Sequence, residues 1–150
     1  MGGRDAGRIP SRAIGERMQG EKRMSEPFIF ISHSKIREGK LEEFRSYVRD
    51  IAKMVETQEP RVIGFHAYAN DDGTEVTGVQ IHPDAASMES HMKLLRDKIG
   101  QSMQLLETSR IEIFGAASPG ILAMMKQMAN VPITVRPDHV GGFTRSNATE

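Results

Sequence analysis

Residues 40 to 57 constrain the fold more than any other stretch. Leu41, Phe44, Tyr47, Val48, Ile51 and Val55 recur at three-and-four spacing, while Glu42, Glu43, Arg45 and Arg49 fill the opposite side. This period predicts an amphipathic helix from Lys40 to about Thr57. A helix with one apolar stripe must bury it against another layer, so the neighbouring segments have to supply one. They read as strands. "FIFISHSKI", residues 28 to 36, is β-branched and aromatic, and "REGK" after it is a turn. "EPRVIGFHAYAN" and "GTEVTGVQIH" follow the helix and meet at "NDDG", a cluster suited to the backbone angles of a hairpin turn.

A second helix is predicted from about Asp84 to Lys98, where the Asp84 carboxylate can cap the first free N–H groups. After Gly100 come a short helical piece, "QSMQLLETS", and a strand, "RIEIFGA". The order βαββαβ predicts an α+β, ferredoxin-like plan, with two helices on one face of an antiparallel sheet and the other face left apolar and uncovered. Beyond it, "SPGILAMMKQMAN" is a helix opened by Pro119, "VPITVRP" a strand, and "DHVGGFTRSNATE" a loop. Ile121, Leu122, Met124, Met125 and Met128 form that helix's apolar stripe, which reads as gap-filling core or subunit contact rather than a cofactor site.

The expected organisation is an unstructured arm over residues 1–26, a domain over 27–116 and a helix–strand extension over 117–150 that contacts a partner subunit. The arm carries six Lys or Arg against three acids before Met24 and shows no periodicity, and Met24 is as natural a start as Met1. With 150 residues the chain suffices for one hydrophobic core, and with no cysteine it has neither disulfides nor thiolate chemistry. Twenty Lys plus Arg balance 20 Asp plus Glu, so net charge draws the chain to neither nucleic acid nor anionic membrane. No apolar run approaches the roughly 20 residues that span a bilayer. A cytoplasmic protein is expected. The five histidines form no two-ligand pair one helical turn apart, so no metal is expected.

Alternation sorts the strand residues into faces without saying which face meets the helices. Phe28, Phe30, Ser32, Ser34 and Ile36 oppose Ile29, Ile31, His33 and Lys35; Phe65 and Ala67 oppose His66 and Tyr68; Val76, Gly78, Gln80 and His82 oppose Val79 and Ile81. In the second helix, Met88, Met92 and Leu95 surround His91 at helical spacing, which aims its ring at the sheet. There it is either a core histidine bonded to a backbone carbonyl or part of a pocket wall. If Val79 and Ile81 face the helices, His82 lies on the far side of the sheet or at its rim, apart from His91.

The stretches "KIREGKLEEFRSYVRDIAKMVETQEPRVIGFHAY" and "GVQIHPDAASMESHM" resemble the antibiotic biosynthesis monooxygenase domain over about Phe28 to Ala116. The resemblance implies a dimeric α+β barrel, in which the open sheet faces of two subunits close on each other, and a homodimer with a small-molecule pocket between helices and sheet. The family includes cofactor-free oxygenases of aromatic phenols and haem-degrading enzymes. This chain departs from the haem-degrading pattern: it has no Trp, His91 stands where those members place a helical Trp, and Gln101 stands near their axial histidine. A Gln amide is a poor iron ligand. The implied activity is cofactor-independent monooxygenation of a small aromatic or quinol-like substrate. His91, assisted by His33 or His66, is the expected base, because an imidazole can remove a phenolic proton near neutral pH. Tyr68, Ser32 and Met88 are the expected pocket residues. The competing readings are a ligand-binding or stress-response module of the same fold, and a purely structural dimer. A cavity of about 300 Å³ or more beside His91 makes a ligand the default.

Overall fold

A computed structural model describes residues 26–128 and 130–145. The arm expected over 1–26, and with it the choice of start codon, falls outside these residues except for Glu26. The elements are β1 (Phe28–Ile36), α1 (Leu41–Gln58), β2 (Gly64–Ala69), β3 (Glu75–His82), α2 (Ala85–Leu95), α3 (Ile99–Leu105), β4 (Leu106–Phe114), α4 (Pro119–Met128) and β5 (Ile133–Arg136), with a short 3-10 turn at Arg96–Lys98 between α2 and α3. The sheet order is β2-β3-β1-β4-β5. The first four strands pair antiparallel, which is the ferredoxin-like arrangement expected.

Local chemistry accounts for most boundaries. Gly39 takes φ 74° in the turn before α1, and acidic Glu42 and Glu43 occupy the first turn, where the helix dipole favours negative charge. In the β2–β3 hairpin the Asn70 side-chain carbonyl accepts from the N–H groups of Thr74 and Glu75, each at 3.0 Å, and Gly73 adopts φ 71°. A Cβ at Gly73 would also come within 2.7 Å of Leu41, so this turn requires glycine on two counts. β2 is shorter than the sequence suggests, because Glu59 to Val62 close a turn in which the Val62 N–H donates to the Glu59 carbonyl at 3.1 Å.

Two other boundaries move. Gly100 lies inside α3 instead of ending a helix, and β4 starts at Leu106 rather than Arg110. The polar "LETS" segment is strand because it pairs with Ser34, Lys35 and Ile36 of β1 beyond a register shift at His33/Ser34, a long-range pairing that local pattern cannot reveal.

The helices cover the sheet face carrying Phe28, Phe30, Ser32, Ser34 and Val76. Two core clusters form there. One comprises Phe28, Met88, Met92, Ile111, Ile113, Ile121 and Met125; the other comprises Phe44, Val76 and Leu105. α4, with its methionine stripe, packs into the first cluster of its own chain, where Ile121 and Met125 are fully buried. Each such side chain contributes about 1.5–3 kcal/mol by burial here, so the methionine stripe is gap-filling core of its own chain. α4 is also the crossover that a parallel pair needs, and β5 joins β4 in parallel, making the five-stranded sheet mixed. On the other face the cross-strand pairs Ile29↔Ile81 and Ile31↔Val79 form an apolar strip that no helix covers. No helix among the described residues is long and apolar enough to cross a membrane.

Candidate functional site

Between the two core clusters lies a cavity of about 220 Å³. Phe30, Phe65, Ile51, Met88, Met92 and Leu95 form apolar walls, and Ser32, Gln80 and His91 supply polar atoms. The volume falls short of the roughly 300 Å³ at which a ligand becomes the default, and what the space can hold is one or two rings.

His91 is the site's most constrained group. Asp84 caps α2 by accepting the Ser87 N–H at 2.9 Å and also pairs with Arg61, and this sets the helix with Met88, His91 and Met92 inward. His91 is 3% exposed, and its Nδ1 lies 2.7 Å from Oε2 of Glu59, a carboxylate itself only 8% exposed. Glu59 sits at the C-terminal cap of α1, anchored by its own N–H donating to the Val55 carbonyl at 2.9 Å. A carboxylate can only accept, so the bond places a proton on Nδ1. Nε2 has no hydrogen-bond partner among the described residues, yet no buried side-chain polar atom is left without one, so Nε2 borders the open space of the cavity.

His82 corrects the expectation that the sheet separates the two histidines. Phe28↔His82 and Phe30↔Gln80 are register pairs, and the burial of Phe28 and His82 fixes this set as helix-facing. His82 is fully buried with its ring 5.4 Å from that of His91. Both its nitrogens are engaged: Nδ1 with Ser87 Oγ at 2.9 Å and Nε2 with Gln80 Oε1 at 3.2 Å. Burial, and next the neighbouring His91, lower its pKa to about 4, with Asp84 opposing and Arg61 adding slightly, so His82 is neutral near pH 7. With its oxygen accepting from His82, Gln80 keeps its amide N–H₂ as a donor on a residue that lines the cavity.

The structure divides the residues singled out in the sequence. His91, Ser32 and Met88 line one cavity. His33, His66 and Tyr68 lie on the opposite, open face of the sheet, away from it. His33 Nε2 is 2.8 Å from Glu112 Oε2, and Arg110 approaches the same oxygen at 3.4 Å. The hydrogen bond from His33, outweighing desolvation, holds the Glu112 carboxyl below the usual carboxylate range. His66 and Tyr68 stack loosely at 6.2 Å between centroids, with Tyr68 63% exposed. Tyr68 therefore does not line this cavity: strand alternation sends it outward when Phe65 goes in. Gln101 is exposed on the outer side of α3 and does not line the cavity. Glu59 and Gln80 were not singled out from the sequence. Glu59 stands 32 positions from His91 and carried no signal beyond its place before Pro60, whereas Gln80 shared a strand face with His82.

A larger groove of about 610 Å³ lies at the end of the sheet among Pro27, Phe114, Arg136, His139 and Val140. Its titratable lining residues are all partly or fully exposed, and we take the smaller cavity with the buried His91–Glu59 pair as the site.

No protein-family model matches the sequence, and no curated protein matches it significantly. Its fold is similar to several solved structures. MupZ from Pseudomonas fluorescens aligns at 17% identity and TM-score 0.63, over 80% of this chain and 95% of that one. A candidate antibiotic biosynthesis monooxygenase from Bacteroides thetaiotaomicron aligns at 21% identity and TM-score 0.52, over 63% and 90%. A conserved protein from Methanosarcina mazei aligns at 15% identity and TM-score 0.54, over 62% and 95%. At these identities the likeness establishes the fold: an α+β, ferredoxin-like architecture shared with a structure assigned to the antibiotic biosynthesis monooxygenases.

Proposed function

We propose that the chain is a cofactor-independent monooxygenase of the antibiotic biosynthesis monooxygenase type, acting on a small aromatic or quinol-like substrate. The observation that carries this reading is the buried His91–Glu59 pair at the wall of a mostly apolar cavity. A carboxylate on Nδ1 orients the ring and favours the tautomer whose Nε2 lone pair is the base. Nε2 removes the phenolic proton, and the Gln80 N–H₂ donates to the resulting oxyanion. The electron-rich phenolate passes an electron to dioxygen; the ring radical and superoxide combine to a peroxide. Loss of water then leaves a quinone. One oxygen atom enters the product and the other leaves as water, so phenol and dioxygen balance quinone and water with no external reductant. The apolar walls of Phe30, Phe65 and the methionines hold the ring and admit dioxygen.

In this reading residues 27–116 are the catalytic unit, and residues 117–150 are an extension that also contacts the partner subunit, with α4 packed on the unit's own core. The uncovered strip of Ile29, Ile31, Val79 and Ile81 supports a homodimer closed through the open sheet faces. His33 and His66, on that face, then belong to the interface rather than to catalysis. The test is oxygen uptake with a panel of phenols and quinols, comparing the native protein with His91→Ala. Uptake by the native protein that falls about 10²- to 10⁴-fold in the variant supports the assignment. Binding of the panel without uptake by either protein replaces it with the ligand-binding reading.

A further inference from the structure

The cavity does not end at Met103. A second space of about 200 Å³ adjoins it and shares Ser102, Met103, Leu106, Thr108 and Met128 as walls. This vestibule adds Arg37, Glu107, Asn130 and Val131, so it brings a guanidinium that the cavity lacks to a lining that is still mostly apolar. Met103 and Met128 stand between the two spaces. Met103 is 54% exposed, and an unbranched thioether can swing aside at little cost.

Arg37 is set for recognition. Its backbone N–H donates to the Leu105 carbonyl at 2.9 Å and its Nε to the Met103 carbonyl at 3.0 Å. The first contact fixes the main chain and the second holds the side chain at the boundary of the vestibule. The two terminal guanidinium nitrogens make no ion pair or hydrogen bond among the described residues. They keep the geometry that matches the two oxygens of a carboxylate. Glu107 borders the same space, but its pairing opposite Lys35 puts its side chain on the other face of the sheet, so it does not compete for Arg37.

We propose that Arg37 is a specificity-determining residue that selects aromatic hydroxy acids: the hydroxylated ring lodges beside His91, and a carboxylate at the far end of the same molecule lies in the vestibule on the Arg37 guanidinium. The proposal rests on the reading of the cavity as a ligand site, and it extends that reading from a ring to a ring with a placed anion. A vestibule bearing one guanidinium, joined to a mostly apolar cavity, fits a molecule with an aromatic end and an anionic end.

The test compares two fluorescent ligands, a naphthol and the same naphthol carrying a carboxylate on the far ring, by titration against the full chain. The native protein is expected to bind the carboxylate at least about tenfold more tightly, the scale of one charge-assisted hydrogen bond. Arg37→Gln should bring the two affinities together. The substitution is at an exposed side chain, and unchanged binding of the plain naphthol reports that the cavity is intact. Equal affinities in the native protein, or a preference that survives Arg37→Gln, overturns the role of Arg37 while leaving the cavity as a site. Failure of both ligands to bind the native protein overturns the cavity reading, and the proposal with it.

Discussion

His91 Nδ1 and Glu59 Oε2 stand 2.7 Å apart although 32 positions separate the residues, joining the middle of α2 to the end of α1 beneath the sheet. If the carboxylate orients His91 as the base, Glu59→Gln should lower kcat for oxygen uptake by on the order of 10²–10⁴-fold with KM nearly unchanged, because an amide can bind the ring in either tautomer. Steady-state kinetics on the best substrate of the panel measures the split. An unaltered kcat would remove Glu59 from the mechanism.

The same bond carries stability. In Glu59→Leu the Nδ1–H of a 3% exposed ring loses its acceptor, and the expected cost is about 1–3 kcal/mol. Urea unfolding of the two Glu59 variants separates the roles: Glu59→Gln should stay near the native midpoint and Glu59→Leu should fall below it.

His82 makes the fold acid-sensitive. Unfolded, the ring takes up a proton near its ordinary 6.5; folded, only near about 4. Between those values the unfolded chain holds more protons, so stability falls as pH drops from about 6.5 toward 4 and is regained as pH rises. The shift corresponds to roughly 2 kcal/mol lost between pH 7 and pH 5. His82→Gln should flatten that slope when urea midpoints are compared at the two pH values, and a slope identical to the native one would exclude His82 as its source.

Gly78 faces Ser32 across the β1–β3 pair, and a Cβ at Gly78 would come within 2.8 Å of the Ser32 Oγ. Gly78→Ala is therefore expected to lower the melting temperature through a displaced Ser32, at a cost of about 1–3 kcal/mol, as for overpacking elsewhere. Ser32→Ala in the same chain should recover most of it. Additive losses in the double variant would show that the two side chains do not compete for space.

The open sheet face yields a test of assembly. Val79→Asp puts a charge in the centre of the Ile29, Ile31, Val79, Ile81 strip while leaving the helix-side core intact. Light scattering is expected to find a dimer for the native chain and a folded monomer for the variant. A native monomer would refute the paired sheets, and an undiminished dimer of Val79→Asp would move the interface elsewhere.

Much of the fold was legible because its signals are local. The stripe of α1, the Asn/Asp/Gly hairpin, the Asp84 cap and the inward aim of His91 each depend on residues within a turn or two of one another. β4 was misjudged at its start because "LETS" is strand only through pairing with the far end of β1. The candidate site was half legible. His91, Ser32 and Met88 meet at one cavity, whereas His33, His66 and Tyr68 are turned away, since alternation sorts a strand into two faces but carries no label for the one the helices cover.

Composition and periodicity by themselves determined a cysteine-free α+β chain, the βαββαβ order, and a histidine on the apolar face of the second helix. Only the tertiary structure decided that His82 lies beside His91, that Glu59 is the partner of His91, and that α4 completes its own chain's core. The difference is physical. Helical and strand periods follow from backbone geometry shared by near neighbours. The identity of a buried group's partner follows from which distant segments exclude water together, and packing of the whole chain sets that.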